Sequence, residues 1–141
     1  MTNDDDDVTG TDRIRAVADR FFAAIEAGDV AAVREVYHPD VVIWHNTDGA
    51  ESSRDENLAV LEGFIGRASD RRYTRRKLEV FAGGFVQQHV VTGVRRDGVR
   101  LELPACVICK VEGDHIVRLD EYFDSAALPA WFALDDDASR G

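Results

Sequence analysis

A histidine and an amide close the apolar segment Val41-Val42-Ile43-Trp44-His45-Asn46. On a strand, Ile43 and His45 share one face and Trp44 takes the other. If the Ile43 face is interior, an imidazole stands in an apolar pocket, where its surroundings set its protonation near neutral pH. Burial would lower its pKa and a neighbouring carboxylate would raise it. The alternative is a rim histidine bonded to a loop. A carboxylate comes from a second segment, in which Leu119, Glu121 and Phe123 alternate with Asp120 and Tyr122. If Phe123 faces inward, so does Glu121; otherwise Glu121 is solvated or part of an interface ion pair. Gln87, His89 and Val91 share a face of a third segment, which is either a pocket wall or a polar outer face meeting a second subunit. Glu102, Pro104 and Cys106 share a face of a fourth, and a one-residue register error would invert each of these sets. Together these residues describe acid–base chemistry: His45 as base, Glu121 as acid, base or imidazole partner, and Tyr37 or His89 as donor. Tyr37 equally fits a core tyrosine with its tip hydrogen-bonded. Asn46 and Asp48 either orient His45 or make an Asx-turn. His38 and His115 flank turns and read as surface residues.

The elements that must hold these groups are legible from periodicity. Ile14, Val17, Ala18, Phe21, Phe22 and Ile25 recur at helical spacing, with Thr11 or Asp12 as cap and Gly28 as stop. Asp29 caps a second helix carrying Val33, Val36 and Tyr37, and Pro39-Asp40 turns the chain into the His45 strand. After a loop over 47–52, Ser53-Arg54-Asp55-Glu56 is a capping-box pattern before a third helix with Leu58, Leu61, Phe64 and Ile65. Strands follow over 73–81, 85–94, 100–111 and 115–123, joined by Gly83-Gly84, the hairpin pair Asp97-Gly98, and Glu112-Gly113-Asp114. Residues 125–134, with Trp131, form a short helix that could close a mouth. Helices first and an antiparallel meander last predict an α+β fold, with a curved sheet wrapped on the N-terminal helices to leave a cone with an apolar interior.

The 141-residue length suits one domain, read as 11–134 between acidic disordered tails at 1–10 and 135–141. Those tails carry much of the net charge of −10; without them 20 acids face 16 bases, leaving −4. Such a balance argues against nucleic acid as a partner. The basic run over 71–77 reads as a solvated strand end. No apolar run suggests a membrane span or a secretory leader. Cys106 and Cys109 are spaced Cys-x-x-Cys, but on a strand they face opposite sides and read as buried free thiols, Cys106 toward the cone. Free thiols imply a reducing, cytoplasmic setting. No spacing resembles a metal-ligand set, and no cofactor is expected. Leu101, Leu103, Ala105 and Val107 would then form an apolar outer sheet face, which predicts a homodimer.

Arg20-Phe21-Phe22-Ala23-Ala24-Ile25-Glu26-Ala27-Gly28-Asp29, then Val36-Tyr37-His38-Pro39-Asp40-Val41-Val42, then Leu119-Asp120-Glu121-Tyr122-Phe123-Asp124 resemble, in order and spacing, the signatures of the nuclear transport factor 2-like superfamily. That group includes ketosteroid isomerases, SnoaL-like polyketide cyclases and limonene-epoxide hydrolases. The resemblance spans roughly residues 11 to 133 and implies a cone, often dimeric across the sheet's outer face, with a hydrophobic small molecule inside. Within it, His45 stands where ketosteroid isomerases carry their base. Phe21 stands in place of their oxyanion-binding tyrosine and Cys106 in place of the assisting aspartate, so that oxyanion site is not reproduced. Glu121 matches the last-strand acid of the epoxide hydrolases and cyclases, while Gln87 and His89 stand where the hydrolases place an Arg and an Asp. His45, His89 and Tyr37 supply the residue types of scytalone-type dehydratases. The resemblance implies isomerisation, cyclisation, dehydration or epoxide opening on a polyketide-, terpenoid- or steroid-like substrate. Phe21, Gln87, Val91, Cys106, Leu119, Phe123 and Trp131 would contact that substrate. The rival is a non-catalytic ligand-binding or assembly domain in the same fold.

Overall fold

The computed structural model describes the backbone of residues 3–140 and the side chains of residues 10–135. Helix α1 (Asn3–Ala27) presents the apolar stripe read from the sequence, and Val17, Ala18, Phe21, Phe22 and Ile25 are all buried. Gly28 ends it at φ 73°, a left-handed conformation that favours glycine. Asp29 caps α2 (Val30–Val36) by accepting from the Ala32 N–H at 3.0 Å. Strand β1 (Tyr37–His45), the short β2 (Glu51–Ser52) and helix α3 (Arg54–Arg67) follow. The capping box at α3 is complete: Ser53 Oγ accepts from Glu56 N–H, and the Glu56 carboxylate accepts from Ser53 N–H. Strands β3 (Ala68–Phe81), β4 (Gly84–Arg95), β5 (Arg100–Glu112) and β6 (His115–Phe123) form the meander, and a single 3-10 turn (Ser125–Ala127) leads into α4 (Leu128–Arg140).

The six strands make one sheet in the order β2-β1-β6-β5-β4-β3. It curves around α1, and Phe85, Val107, Cys109, Ile116 and Leu119 meet the helical stripe in the main core. This is the α+β cone read from the sequence, with one difference. The β1–β6 pair is parallel, because β1 precedes the meander and docks beside its last strand.

Other expectations are corrected. The β5 faces are inverted: Leu101, Leu103 and Val107 are interior, and Cys106 lies on the outer face. Opposed residues of an antiparallel pair point the same way. His89 pairs with Ala105 and Val91 with Leu103, so the inward side of β4 dictates the inward side of β5. Tyr37 is not within α2; it follows it as C-cap and first residue of β1. Pro39-Asp40 lies inside β1, at a register shift between Tyr37 and Val42, where the missing proline N–H is tolerated. β3 starts earlier than read and carries two register shifts, with Asp70 at φ 50° and Arg75 at φ 55°. The basic run is therefore split. Arg71 donates to the carbonyls of Ile25, Glu26, Ile65 and Ala68 and so closes the C-terminal ends of α1 and α3, while Arg76 bridges from the buried Gln87 to Asp19 at the surface. The acidic ends read as tails carry helical backbone from Asn3 and on to Arg140. The side chains of 1–9 and 136–141 lie outside the described residues. No helix among the described residues is long and apolar enough to cross a membrane.

Candidate active site

The parallel β1–β6 register places His45 beside Glu121 and Ile43 beside Leu119, all on the inner face. His45 Nε2 lies 3.3 Å from Glu121 Oε1, with side-chain exposures of 18% and 15%. The His45 ring stacks on Phe123, with centroids 5.4 Å apart. Asn46 fixes the end of the strand: its N–H donates to Glu121 O, its Nδ2 donates to Phe123 O, and its Oδ1 accepts from Phe123 N–H. Trp44 points to the outer face and meets Tyr122, centroids 5.1 Å apart.

Burial is the largest influence on His45 and lowers its pKa. The Glu121 hydrogen bond, the Glu121 charge and the Asp48 charge together outweigh it and raise the imidazole above 6.5. Of the two opposing influences read from the sequence, the neighbouring carboxylate prevails over burial. Glu121 holds Nε2; among the described residues Nδ1 has no partner, and His45 lines the cavity. A carboxylate bonded to one nitrogen fixes the tautomer and makes the other a better base, as in hydrolase triads. Asp48 also makes an Asx-turn, accepting from Ala50 N–H at 2.9 Å.

The dyad opens into a cavity of about 530 Å³ between the inner sheet face, α3 and α4. Its walls are mostly apolar, with Phe21, Val91, Leu103, Leu119, Phe123 and Trp131 among them. Trp131 is seated by Phe64, stacked at 5.2 Å, by a bond from its Nε1 to Glu102 O, and by Gly93, where a Cβ would crowd the indole at 3.3 Å. Val60 and Phe132 line the cavity yet are 60% and 43% exposed, so they mark its mouth. Arg67 stands beside them, over the Phe132 ring and paired with Asp135.

Of the residues proposed from sequence, the structure brings His45, Glu121, Tyr37, Phe21, Val91, Leu119, Phe123 and Trp131 to this cavity. It does not bring Gln87, His89 or Cys106. Gln87 and His89 face inward but are sealed below the cavity, under Phe22 and Tyr73. Arg76 Nε donates to Gln87 Oε1 at 2.8 Å, so Gln87 Nε2 donates to His89 Nδ1, also at 2.8 Å. Burial, then the Arg76 charge, push His89 down to about 4. His89 is therefore neutral at physiological pH, and as a buried neutral group it is a core residue.

Among the polar cavity residues that were not read from the sequence are Asn57 and Tyr73. Asn57 is 4% exposed, and its Oδ1 accepts from Tyr37 Oη at 2.8 Å. Tyr73 comes from β3, its hydroxyl unpartnered among the described residues and its ring edge-on to His89. A signal existed for Asn57. It shares helical spacing with Leu61 and Phe64, so an amide interrupts the inner stripe of α3. None existed for Tyr73, because the β3 bulges reset the alternation. Burial, the largest cause, and neighbouring charges including Glu121 hold both Tyr37 and Tyr73 well above the usual tyrosine range, so both hydroxyls stay protonated donors. Among the described residues no cluster of His, Cys, Asp and Glu could hold a metal ion.

A curved sheet over N-terminal helices, with a mostly apolar cavity lined by a histidine–carboxylate pair, defines an α+β cone fold. The chain belongs to the SnoaL-like domain family, whose model matches residues 18–119. No curated protein matches it in sequence. Among solved structures it is similar to PrhC from Penicillium brasilianum, with a TM-score of 0.77 at 14% identity over 91% of each chain. It is also similar to IdmH, a candidate polyketide cyclase from Streptomyces antibioticus, with a TM-score of 0.74 at 18% identity over 84% of this chain and 97% of that one. A protein of ketosteroid isomerase-like fold from Catenulispora acidiphila matches with a TM-score of 0.70 at 14% identity, over 82% of this chain and 90% of that one. Identities this low show the shared fold and leave the chemistry to the residues of the site.

Proposed function

We propose that this protein is a cofactor-independent enzyme of the cyclase and isomerase type, moving a proton on a hydrophobic polyketide-, terpenoid- or steroid-like molecule. His45 Nδ1 is the base. Glu121 is its partner, fixing the tautomer and stabilising the imidazolium that forms. Phe21, Val91, Leu119, Phe123 and Trp131 hold the apolar body of the substrate. The observation that carries this reading is the His45–Glu121 pair, two titratable side chains held 3.3 Å apart at an apolar cavity. IdmH, a structural neighbour, is described as a candidate cyclase, and aldol-type ring closure begins with the same proton abstraction.

The test uses β-tetralone, a bicyclic ketone with acidic α-protons, in deuterated buffer, with exchange followed by NMR. Wild type should accelerate exchange, and His45→Gln should lower the acceleration by roughly two to four orders of magnitude, the span for a positioned base. Exchange at the buffer rate, with β-tetralone bound, would mark a binding domain and not an enzyme.

We further propose a homodimer, now through the corrected outer face. Trp44, Val90, Cys106, Ile108 and Tyr122 lie there, with Ile108 37% and Tyr122 47% exposed. Light scattering at micromolar concentration should give twice the chain mass, and Ile108→Glu should shift it toward the monomer.

A further inference from the structure

The proposed reaction leaves one charge without a partner. Removing a proton from carbon beside a carbonyl shifts the C–H electron pair into a new C=C bond and the carbonyl π pair onto oxygen. The proton goes to His45 Nδ1 and later returns to carbon. The oxygen carries the negative charge meanwhile and requires hydrogen-bond donors. Phe21, the residue matched to the related isomerases' tyrosine, has none.

The cavity holds donors elsewhere. Tyr37 Oη donates to Asn57 Oδ1, so the NH₂ group of the amide is at the other end. Among the described residues that group has no partner, yet it is not among the polar atoms sealed from contact, and Asn57 lines the cavity although the residue is 4% exposed. Tyr73 Oη is in the same condition, unpartnered and unsealed on the same cavity. Its ring is held edge-on by Phe22 and His89, centroids 4.8 Å and 4.7 Å away, and its N–H donates to Glu26. A buried residue whose amide is fixed at one end, and whose NH₂ donors stay open to contact at the other, is a built binding group for a hydrogen-bond acceptor in the cavity.

We propose that Asn57 Nδ2 and Tyr73 Oη form the binding pole for the carbonyl oxygen of the substrate, and that Tyr37 is the positioning residue that aims Asn57. The substrate class is thereby narrowed to ketones, with the carbonyl at this pole and the acidic carbon toward His45. This rests on the reading of the cavity as a proton-transfer site. It also gives the arginine–glutamine–histidine ladder a role: Arg76 orients Gln87, Gln87 orients His89, and His89 packs against the Tyr73 ring.

The test uses prodan, a dimethylaminonaphthalene bearing a propionyl ketone, whose emission shifts to the red when its carbonyl accepts hydrogen bonds. Its propyl analogue lacks the carbonyl and serves as the control. Tyr73→Phe, and separately Asn57→Leu made together with Tyr37→Phe so that no hydroxyl is orphaned, should each weaken prodan roughly 5- to 20-fold, as expected for one buried hydrogen bond. Each should shift bound prodan to the blue and leave the propyl analogue within about twofold, a difference far below one hydrogen bond. Tyr37→Phe alone, which keeps the amide but frees it to rotate, should give an intermediate blue shift. Equal losses for both probes, unchanged emission in every variant, or binding of the propyl analogue alone would overturn the proposal. If Tyr73→Phe does not fold, the Tyr37→Phe emission still decides the matter. A carbonyl pole without β-tetralone exchange would remove the catalytic reading and keep the pole; exchange with no donor effect on prodan would do the reverse.

Discussion

Two histidines on the inner face of one sheet have been tuned in opposite directions. His45 ends β1 at the cavity, beside a carboxylate, and is held above 6.5. His89 lies mid-β4 in a sealed layer, beside an arginine and an amide, and is pushed down to about 4. Both lose solvation on folding. What separates them is the sign of the nearest charge, Glu121 for one and Arg76 for the other. A histidine in an apolar setting is thus not by itself a base. It becomes one where a carboxylate holds one nitrogen and the other is open to a ligand.

The largest expected effect separates the two directly. His45→Gln should lower β-tetralone exchange by roughly two to four orders of magnitude, whereas His89→Gln, which keeps a side-chain acceptor for Gln87, should lower it by less than about tenfold. A comparable loss from both would end the contrast.

Stability against acid should show the next effect, and its sign follows from the pKa shifts. His89 has a folded pKa of about 4, below its unfolded value of 6.5, so between them the unfolded chain binds a proton that the fold refuses. Stability should fall as pH drops through this window, by up to about 3 kcal/mol, and His89→Gln should remove that fall in chemical denaturation. His45 acts oppositely. Its raised folded pKa contributes stability that is fully present below the unfolded value and is lost as pH rises through the folded one.

A smaller effect should appear in the pH profile of exchange. The base works unprotonated, so the rate should rise with pH through the His45 pKa. Glu121→Gln removes the two leading causes that raise it and leaves burial, so the midpoint should move to lower pH, with a rate loss of about tenfold or more. An unmoved midpoint would show that Glu121 does not tune His45.

The smallest effect concerns the thiols, which report sheet register without touching catalysis. Cys106 is partly accessible on the outer face and Cys109 is buried among core residues. A small thiol reagent should label Cys106 first, and Cys109 only as the protein opens, with both slowed because burial raises both thiols. Dimer formation should slow Cys106 further.

The sequence by itself determined the helices, the cone and half of the site. The α1 stripe, the Gly28 stop, the Ser53–Glu56 capping box and the Asp97-Gly98 hairpin are local signals, set by side chains within a few residues of one another. His45 and Glu121 were legible because alternation puts each on the same face as apolar neighbours. Tertiary structure decided everything that depends on which strand lies beside which. The parallel β1–β6 pairing brings together two residues far apart in the chain and decides that the carboxylate, not burial, sets the direction of the His45 shift. The β4–β5 register sends Cys106 outward and Leu103 inward, a choice that an alternating segment apolar on both faces leaves open. The β3 bulges turn Tyr73 into the cavity, and only the packing of α3 against β1 shows that Tyr37 holds an amide. Local pattern fixes the face of an element; contacts between elements fix what that face meets, and the chemistry resides in the meeting.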